Sequence, residues 1–153
     1  MQHCWRRPMP RAGSSLEPMV TIDDVSKIVS VLPGVAEEER KDHPDLLAWS
    51  VAGRGFAWER TFSKADLKRF GDQTPPQPPI VAVRTAGLHE KEALLAAGVP
   101  GVFTIPHFQG YAADMVEIGA TRKPALREVL IEGWLAVAPT ALAEEFLARR
   151  GHR

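Results

Sequence analysis

The chain has almost no cysteine, since Cys4 is the only one among its 153 residues. A single cysteine excludes an intramolecular disulfide and a cysteine-based zinc cluster, and it is typical of a reducing compartment. The longest nearly apolar stretches, such as residues 99–105, are far shorter than the ~20 residues that cross a bilayer. Residues 1–18 also lack the apolar region that a secretory signal requires. We therefore expect a cytoplasmic protein that does not associate with membranes.

The chain also has no net charge, because 19 basic side chains balance 19 acidic ones. Without residues 1–18, it carries 16 basic and 18 acidic side chains, a net charge of about −2. Strong non-specific binding to nucleic acid usually comes from a large positive field. Any basic surface on this protein must therefore be local.

Sequence signatures of catalysis and of metal binding are missing as well. The five histidines have no close ligand spacing, and no His-Glu-x-x-His pattern occurs. No phosphate-binding Gly-x-x-x-x-Gly-Lys loop is present, and no serine lies in a Gly-x-Ser-x-Gly elbow. These absences predict a protein that is not an enzyme and that has neither a cofactor nor a metal site.

The composition is that of one globular domain. Apolar residues make up 44% of the chain and charged residues 25%, close to the averages for globular proteins. A chain of this length can also bury a sizeable core. We predict a flexible tail at residues 1–18, a single domain at 19–150 and a second tail at 151–153. We favour a monomer.

Helical periodicity and capping residues predict the helices. Thr21 can cap a first helix, and Ser63 can cap a short one that ends at a left-handed glycine, Gly71. A further helix is expected at residues 88–97. The closing helix should begin at Pro124 and break or kink at Pro139, after which the apolar stripe continues.

Alternating apolar residues predict five strands. Residues 46–51 and 56–62 should form a hairpin around Gly53-Arg54-Gly55, residues 80–84 a third strand, and residues 103–107 and 113–118 a second hairpin. The acidic segment 35–44 is expected to be a solvated loop. Alternation also places Arg60 with Phe56 and Trp58, and His107 with Phe103, on common faces of their strands.

Several short motifs in this order and spacing resemble the MmcQ/YjbR family of bacterial proteins over about residues 19–151. They include Thr21-Ile22-Asp23-Asp24-Val25, Phe56-Ala57-Trp58-Glu59-Arg60, Lys91-Glu92-Ala93-Leu94-Leu95 and Thr104-Ile105-Pro106-His107-Phe108-Gln109-Gly110-Tyr111. The resemblance implies a two-layer α+β fold, with a five-stranded antiparallel sheet packed on helices in the order helix, three strands, helix, two strands, helix. It also implies duplex DNA as a partner, contacted by two hairpins that act as a double wing. One departure is Gln109, where the family has an acidic or asparagine-like turn.

The first functional hypothesis is non-catalytic DNA binding. A wing reaches nucleic acid with a cation at its tip, and Arg54 between two glycines has that position. Basic residues of the short helix could grip the phosphate backbone, and the second hairpin would add polar side chains. The alternative is that all of them are ordinary solvated residues. The candidate DNA-binding residues are Arg54, Lys64, Lys68, Arg69, His107 and Gln109.

The second hypothesis is a small-anion-binding or protein-interaction module. Strand alternation places Arg60, Arg84 and His107 beside apolar side chains near strand ends, where buried cations need partners. Glu117 or Asp114 could neutralise them, which would make the group a structural salt bridge. The group could instead hold an anion, with His107 as proton donor. The candidate pocket residues are Trp58, Arg60, Arg84 and His107, and an enzyme is the third hypothesis.

Overall fold

A computed structural model describes residues 18–151, which form five α-helices and one six-stranded antiparallel sheet. Cys4 and residues 1–17 of the predicted tail lie outside the described residues, as do residues 152–153. The helices are α1 (Ile22–Ser30), α2 (Lys64–Arg69), α3 (Leu88–Ala96), α4 (Lys123–Val137) and α5 (Thr140–Gly151). The strands are β1 (Val35–Glu39), β2 (Leu47–Val51), β3 (Arg54–Arg60), β4 (Ile80–Arg84), β5 (Val102–Phe103) and β6 (Ala113–Glu117).

The sheet confirms the α+β class, but the predicted number of strands is wrong. The order is β1-β2-β3-β4-β6-β5 with antiparallel neighbours throughout, so the sheet has six strands and not five. The additional strand, β1, lies in the acidic segment that was expected to be a loop. It is an edge strand whose charged side chains are mostly exposed, so it shows no hydrophobic alternation. Charges on an edge strand also prevent pairing with other chains.

One residue of that acidic run anchors the edge strand. The Oε1 atom of Glu37 accepts a hydrogen bond from the indole nitrogen of Trp49 at 2.7 Å and another from the hydroxyl of Ser26 at 2.6 Å. Glu37 lies opposite Trp49 in the β1–β2 pair. The carboxylate therefore joins the edge strand to a core tryptophan and to α1.

The predicted helix caps are confirmed. Thr21 and Ser63 each form a capping box with the aspartate three residues later. Gly71 follows α2 with a φ of 58°, the left-handed conformation expected at the end of a helix. The closing helical region is divided before Pro139, because α4 ends at Val137 and α5 begins at Thr140.

Helices α1 and α4 cover one face of the sheet, here called the helix-covered face. Its core includes Trp49, Val83 and Trp134, and the indole nitrogen of Trp134 donates to the carbonyl of Pro33 at 3.0 Å. α4 packs closely on the strands at Gly133, where a Cβ atom would lie 2.5 Å from Cγ1 of Val83. This face is the main apolar core.

The opposite face, here called the loop-covered face, carries a smaller core. Ile80, Ala82 and Met115 of the central strands pack there with Phe70 and Phe108. Its cover comes from α2 and from residues 104–112. Short segments cover this face less completely than helices do, so polar side chains reach it.

A β-bulge in β3 changes the predicted side-chain directions. Trp49 pairs with Ala57 and Ser50 pairs with Gly55, which leaves Phe56 as an extra residue between the two pairs. Phe56 therefore packs in the helix-covered core together with Ala57, while Trp58 packs on the loop-covered face. The prediction that Phe56 shares a face with Trp58 and Arg60 is wrong for this reason.

The predicted second hairpin is also different in the structure. β5 contains only Val102 and Phe103, and Pro106–Phe108 form a 3-10 helix instead of continuing the strand. Pro106 cannot donate to a strand ladder but is well suited to the start of a helical turn. His107 consequently lies in the connection between β5 and β6, and its predicted place on a strand beside Phe103 is wrong.

Candidate functional site

A cavity of about 520 Å³ opens on the loop-covered face, near the end of β3. Its volume is in the range of sites that hold small organic molecules. None of the described residues that line it is acidic. The lining residues are Arg40, His43, Trp58, Arg60, Thr61, His107, Phe108 and Tyr111.

The sheet register directs two cavity residues to the same face. Trp58 and Arg60 alternate along β3, so both point to the loop-covered face. The cross-strand neighbours of Trp58 are Ala48 on β2 and Ala82 on β4, and Ala82 is fully buried in the core of this face.

Arg60 is held firmly at the cavity wall. Its side chain is 14% exposed, and Nη2 donates to the carboxylate of Asp66 at 3.1 Å. Its guanidinium carbon lies 5.0 Å from the centre of the Phe108 ring. The neutralising residue is thus Asp66, and the expectation that Glu117 or Asp114 would fill this role for Arg60 is wrong.

The free part of the Arg60 guanidinium is available to a ligand. Nε and Nη2 donate within the protein, whereas Nη1 has no acceptor among residues 18–151. Burial lowers the pKa of Arg60, Asp66 opposes that effect, and the positive charge of Arg40 lowers the pKa further. An arginine remains protonated despite such shifts. Arg40 and Arg60 line the same cavity.

Arg40 supplies the second cation and comes from the segment after β1. Its Nε and Nη2 atoms donate to both carboxylate oxygens of Asp42, at 3.1 and 2.7 Å. Nη1 donates to the carbonyl of Glu59 at 2.8 Å, which ties the side chain to β3. The hydrogen bonds from Arg40 lower the pKa of Asp42. Each terminal nitrogen of Arg40 keeps a second hydrogen, so the guanidinium can still donate.

A buried lysine on α3 holds the opposite wall. Lys91 is 2% exposed, and its Nζ atom donates to the carbonyls of Phe108 and Tyr111 at 2.5 and 2.8 Å. Both of these residues line the cavity. Their rings pack edge to face, with centroids 5.4 Å apart. Lys91 therefore fixes the position of the aromatic wall.

Arg84 does not line the cavity but contacts two of its aromatic residues. Its guanidinium carbon lies 5.7 Å from the centre of the Trp58 ring and 5.5 Å from that of Tyr111. Its Nε atom donates to the carbonyl of Gly55 at 2.8 Å. Of the four predicted pocket residues, the structure therefore places Trp58, Arg60 and His107 at the cavity, with Arg84 stacked against its aromatic residues.

The predicted DNA-binding residues divide between two ends of the sheet. Arg54 is exposed at the start of β3, and α2 follows the far end of this seven-residue strand, ~20 Å away along the chain direction. The exposed residues Lys64, Lys68 and Arg69 of α2 are thus separated from Arg54. Gln109 is also exposed and directly follows Phe108, whose ring lies 5.0 Å from the guanidinium carbon of Arg60 at the opposite end of β3 from Arg54.

The sequence argument missed Arg40, His43 and Thr61 as lining residues. Arg40 and His43 belong to the segment that was predicted to be a solvated loop, and no local pattern distinguishes them from other exposed charges. The long-range pairing of β1 with β2 brings this segment beside β3. Only the strand order, which the sequence did not reveal, could have identified these residues.

A larger groove of about 720 Å³ lies between α1, α4 and α5, but it is a weaker candidate. Its acidic residues Asp24, Glu128 and Glu145 are paired with Lys123, Arg150 and Arg149. The two arginines of the smaller cavity are also paired, Arg40 with Asp42 and Arg60 with Asp66. The smaller cavity is the candidate site because both guanidiniums keep N–H groups that can donate to a ligand, next to aromatic side chains.

Residues 18–151 contain neither a metal-binding group of side chains nor a membrane-spanning helix. No group of three or more His, Cys, Asp or Glu side chains is arranged to hold a metal ion there. No helix in that range is long and apolar enough to span a membrane.

Sequence comparison identifies relatives in mycobacteria. The chain is 42% identical over 137 residues to the uncharacterised proteins Rv2570 and MT2646 of Mycobacterium tuberculosis and Mb2600 of Mycobacterium bovis. Each match covers 87% of this chain and 100% of the relative. No family model matches the chain, and no solved structure matches it either. The chain belongs to the family of these uncharacterised mycobacterial proteins.

Proposed function

We propose that the protein binds a small organic anion in the cavity on the loop-covered face. The observation that carries the proposal is the convergence of Arg40 and Arg60 on one cavity, with no acidic lining residue among those described. Asp42 and Asp66 each pair with one of these guanidiniums, and the N–H groups that remain can donate to an anion in the cavity. This proposal corresponds to the small-anion hypothesis drawn from the sequence, with Arg40 added.

The arrangement favours an anion because both guanidiniums are oriented before the ligand arrives. Asp66 and the Phe108 ring hold Arg60, and Asp42 and the Glu59 carbonyl hold Arg40. Binding therefore requires little additional ordering of long side chains. The remaining N–H groups provide charge-assisted hydrogen bonds, which are stronger than neutral ones.

Phenyl phosphate is a suitable probe, because it combines a phosphate with a ring. We expect titration calorimetry of the full chain to detect binding, and Arg40→Gln to weaken it about tenfold, since a hydrogen bond to a charged group contributes ~1.5–3 kcal/mol. Arg40 is only partly buried, so this variant should fold. Arg40→Lys should show intermediate affinity, because it keeps the charge but loses the planar fork.

Arg54→Gln is the matched control, because Arg54 is exposed and lies outside the cavity. Its affinity for phenyl phosphate should equal that of the wild type. If the wild type does not bind the probe, or if Arg40→Gln and Arg54→Gln weaken binding equally, the proposal is wrong.

DNA binding is the second candidate function, as the resemblance to the MmcQ/YjbR family suggests. The observation that favours it is that Arg54 is exposed where β3 begins, at the turn of the β2–β3 hairpin. Arg54 lies next to Gly53, whose φ of 78° shapes this turn. A phosphate backbone could contact Arg54 without the α2 cations.

Duplex DNA titration at two salt concentrations tests this second candidate. Phosphate contacts make affinity fall as salt rises, so Arg54→Ala should weaken binding and reduce the salt dependence. Arg40→Gln should have no such effect. Undetectable binding at low salt, or binding that is indifferent to salt and to Arg54→Ala, would exclude DNA as the partner.

A further inference from the structure

We infer that the ligand of the cavity is a nucleoside monophosphate group, whose phosphate binds Arg40 and Arg60 and whose base stacks on Trp58 and Tyr111. The inference rests on the proposed function, because it names the ligand class of the same cavity. It draws on the cavity's size, on the separation of its charged and aromatic parts, and on the number of donors that it offers.

The cavity is larger than an inorganic anion alone would fill. A volume of about 520 Å³ is several times what phosphate or sulfate occupies, and it matches cavities that hold small organic molecules. An inorganic anion at the two arginines would leave the aromatic part of the cavity to water. A ligand that fits must therefore extend from the cations to the rings.

The cations and the aromatic rings lie at neighbouring levels of the same sheet face. Arg60 and Trp58 are two residues apart on β3, which separates their Cα atoms by about 7 Å. The Tyr111 ring centroid lies 6.4 Å from that of Trp58, and the guanidinium of Arg84 lies against both rings. One sugar ring can bridge the two levels, with an anionic group at one end and a planar group at the other.

The donors favour a phosphate over a carboxylate. The cavity offers Arg40, Arg60, His43, His107 and the hydroxyl of Thr61. A carboxylate has only two acceptor oxygens, whereas a phosphate monoester has three terminal oxygens and a charge of about −1.5 to −2 at neutral pH. The phosphate therefore satisfies more of these donors at once.

The aromatic part is suited to a base. Trp58 is partly exposed and lines the cavity, and Tyr111 is 36% exposed. Arg84 supports both rings from behind. Every nucleobase has a flat face that can stack on such rings, and stacking on one aromatic side chain is typically worth ~1–3 kcal/mol per base, or about 5- to 150-fold in affinity.

Calorimetry of the full chain with AMP, ribose 5-phosphate and phenyl phosphate tests the inference. We expect AMP to bind about tenfold more tightly than ribose 5-phosphate, and more tightly than phenyl phosphate. Tyr111→Leu should weaken AMP about fivefold while leaving ribose 5-phosphate unchanged. Tyr111→Phe, the matched control, keeps the ring and should retain the affinity of the wild type for AMP.

The outcomes distinguish this inference from the proposed function. Equal binding of AMP and ribose 5-phosphate, or tighter binding of phenyl phosphate than of AMP, would overturn the nucleoside assignment and leave the anion site standing. If none of the three anions binds, both fail. Equal loss of ribose 5-phosphate and AMP affinity in Tyr111→Leu would also overturn the assignment, because the base would then make no separate contribution.

The nucleoside monophosphate could be a free nucleotide or the 5′ end of a nucleic-acid strand. A single-stranded oligonucleotide with a 5′-phosphate, compared with the same strand ending in a hydroxyl, separates these sources. If the phosphorylated strand binds more tightly than AMP, the ligand is the nucleoside monophosphate at the 5′ end of a nucleic-acid strand. If the affinity for AMP equals or exceeds that for the phosphorylated strand, the ligand is a free nucleoside monophosphate.

Discussion

The two faces of the sheet use the same strands but have different chemistry. On the helix-covered face, α1 and α4 pack side chains such as Trp49 and Trp134 into a continuous apolar core. On the loop-covered face, short segments leave a cavity in which Arg60 lies beside Trp58. The difference shows that the covering elements, and not the strands, decide which face keeps an open cavity.

The tryptophans of the two faces should respond very differently to truncation. Trp134 is fully buried and donates to Pro33, so Trp134→Ala should lower the free energy of unfolding by about 5 kcal/mol, near the upper end for such changes. Trp58 is partly exposed, so Trp58→Ala should cost only about 2 kcal/mol of stability, but it should weaken phenyl phosphate binding by about fivefold or more, because stacking is lost. Urea unfolding measures both variants. Similar stability losses at the two sites would show that the two faces do not differ in this way.

Asp114 is the polar exception near the helix-covered face. Its carboxylate is fully buried, and neither oxygen has a hydrogen-bond partner among the described residues. Burial raises the pKa of Asp114 to about 7, while the positive charge of Lys91 opposes the increase and Glu92 adds to it. This side chain is therefore neutral in the folded protein over a range where it is ionised in the unfolded chain.

A pH series should reveal how much the ionisation of buried Asp114 lowers the free energy of unfolding. Between about pH 4 and pH 7 the folded protein binds one more proton at this residue than the unfolded chain, so its contribution to stability is lost as the pH rises. We expect the difference in unfolding free energy between Asp114→Asn and the wild type to shift in favour of the variant by up to about 4 kcal/mol across that window. Chemical denaturation at pH 4.5 and pH 8 measures it. A difference that does not change with pH would contradict the assignment.

Neighbouring glutamates of β1 offer a smaller comparison. Glu37 lies opposite Trp49 and accepts its indole N–H, whereas Glu38 lies opposite Ala48. Glu37→Ala leaves that buried donor unpaired and should cost about 1–2 kcal/mol. Glu38→Ala should change the free energy of unfolding by less than ~0.5 kcal/mol, as is usual for exposed positions. Thermal unfolding of both variants would settle the point, and equal effects would mean that Glu37 is an ordinary surface charge.

Local features of this fold were predictable from sequence, but long-range features were not. Thr21 and Ser63 predict the starts of their helices because a capping side chain bonds to the backbone only a few residues further along the chain. β1 was missed because its charged run resembles a loop until β2 is placed beside it. Arg40 joined the candidate site by the same long-range pairing.

The predicted side-chain direction of Phe56 on β3 is wrong for a related reason. Alternation is a local rule, and the extra residue Phe56 interrupts it where β3 pairs with β2. Trp58 and Arg60 lie beyond the bulge, so their shared face was predicted correctly. The predicted position of His107 is wrong because Pro106 starts a helical turn in place of a strand.

Nuclear magnetic resonance can compare the two faces directly, because the indole N–H groups of three of the four tryptophans lie on one face or the other. Trp58 lies at the cavity, whereas Trp49 and Trp134 lie in the helix-covered core. During a titration with phenyl phosphate, we expect the indole resonance of Trp58 to shift with saturation while those of Trp49 and Trp134 stay in place. A Trp58 resonance that does not move, or equal shifts of all three, would contradict the central claim that the loop-covered face holds an anion site.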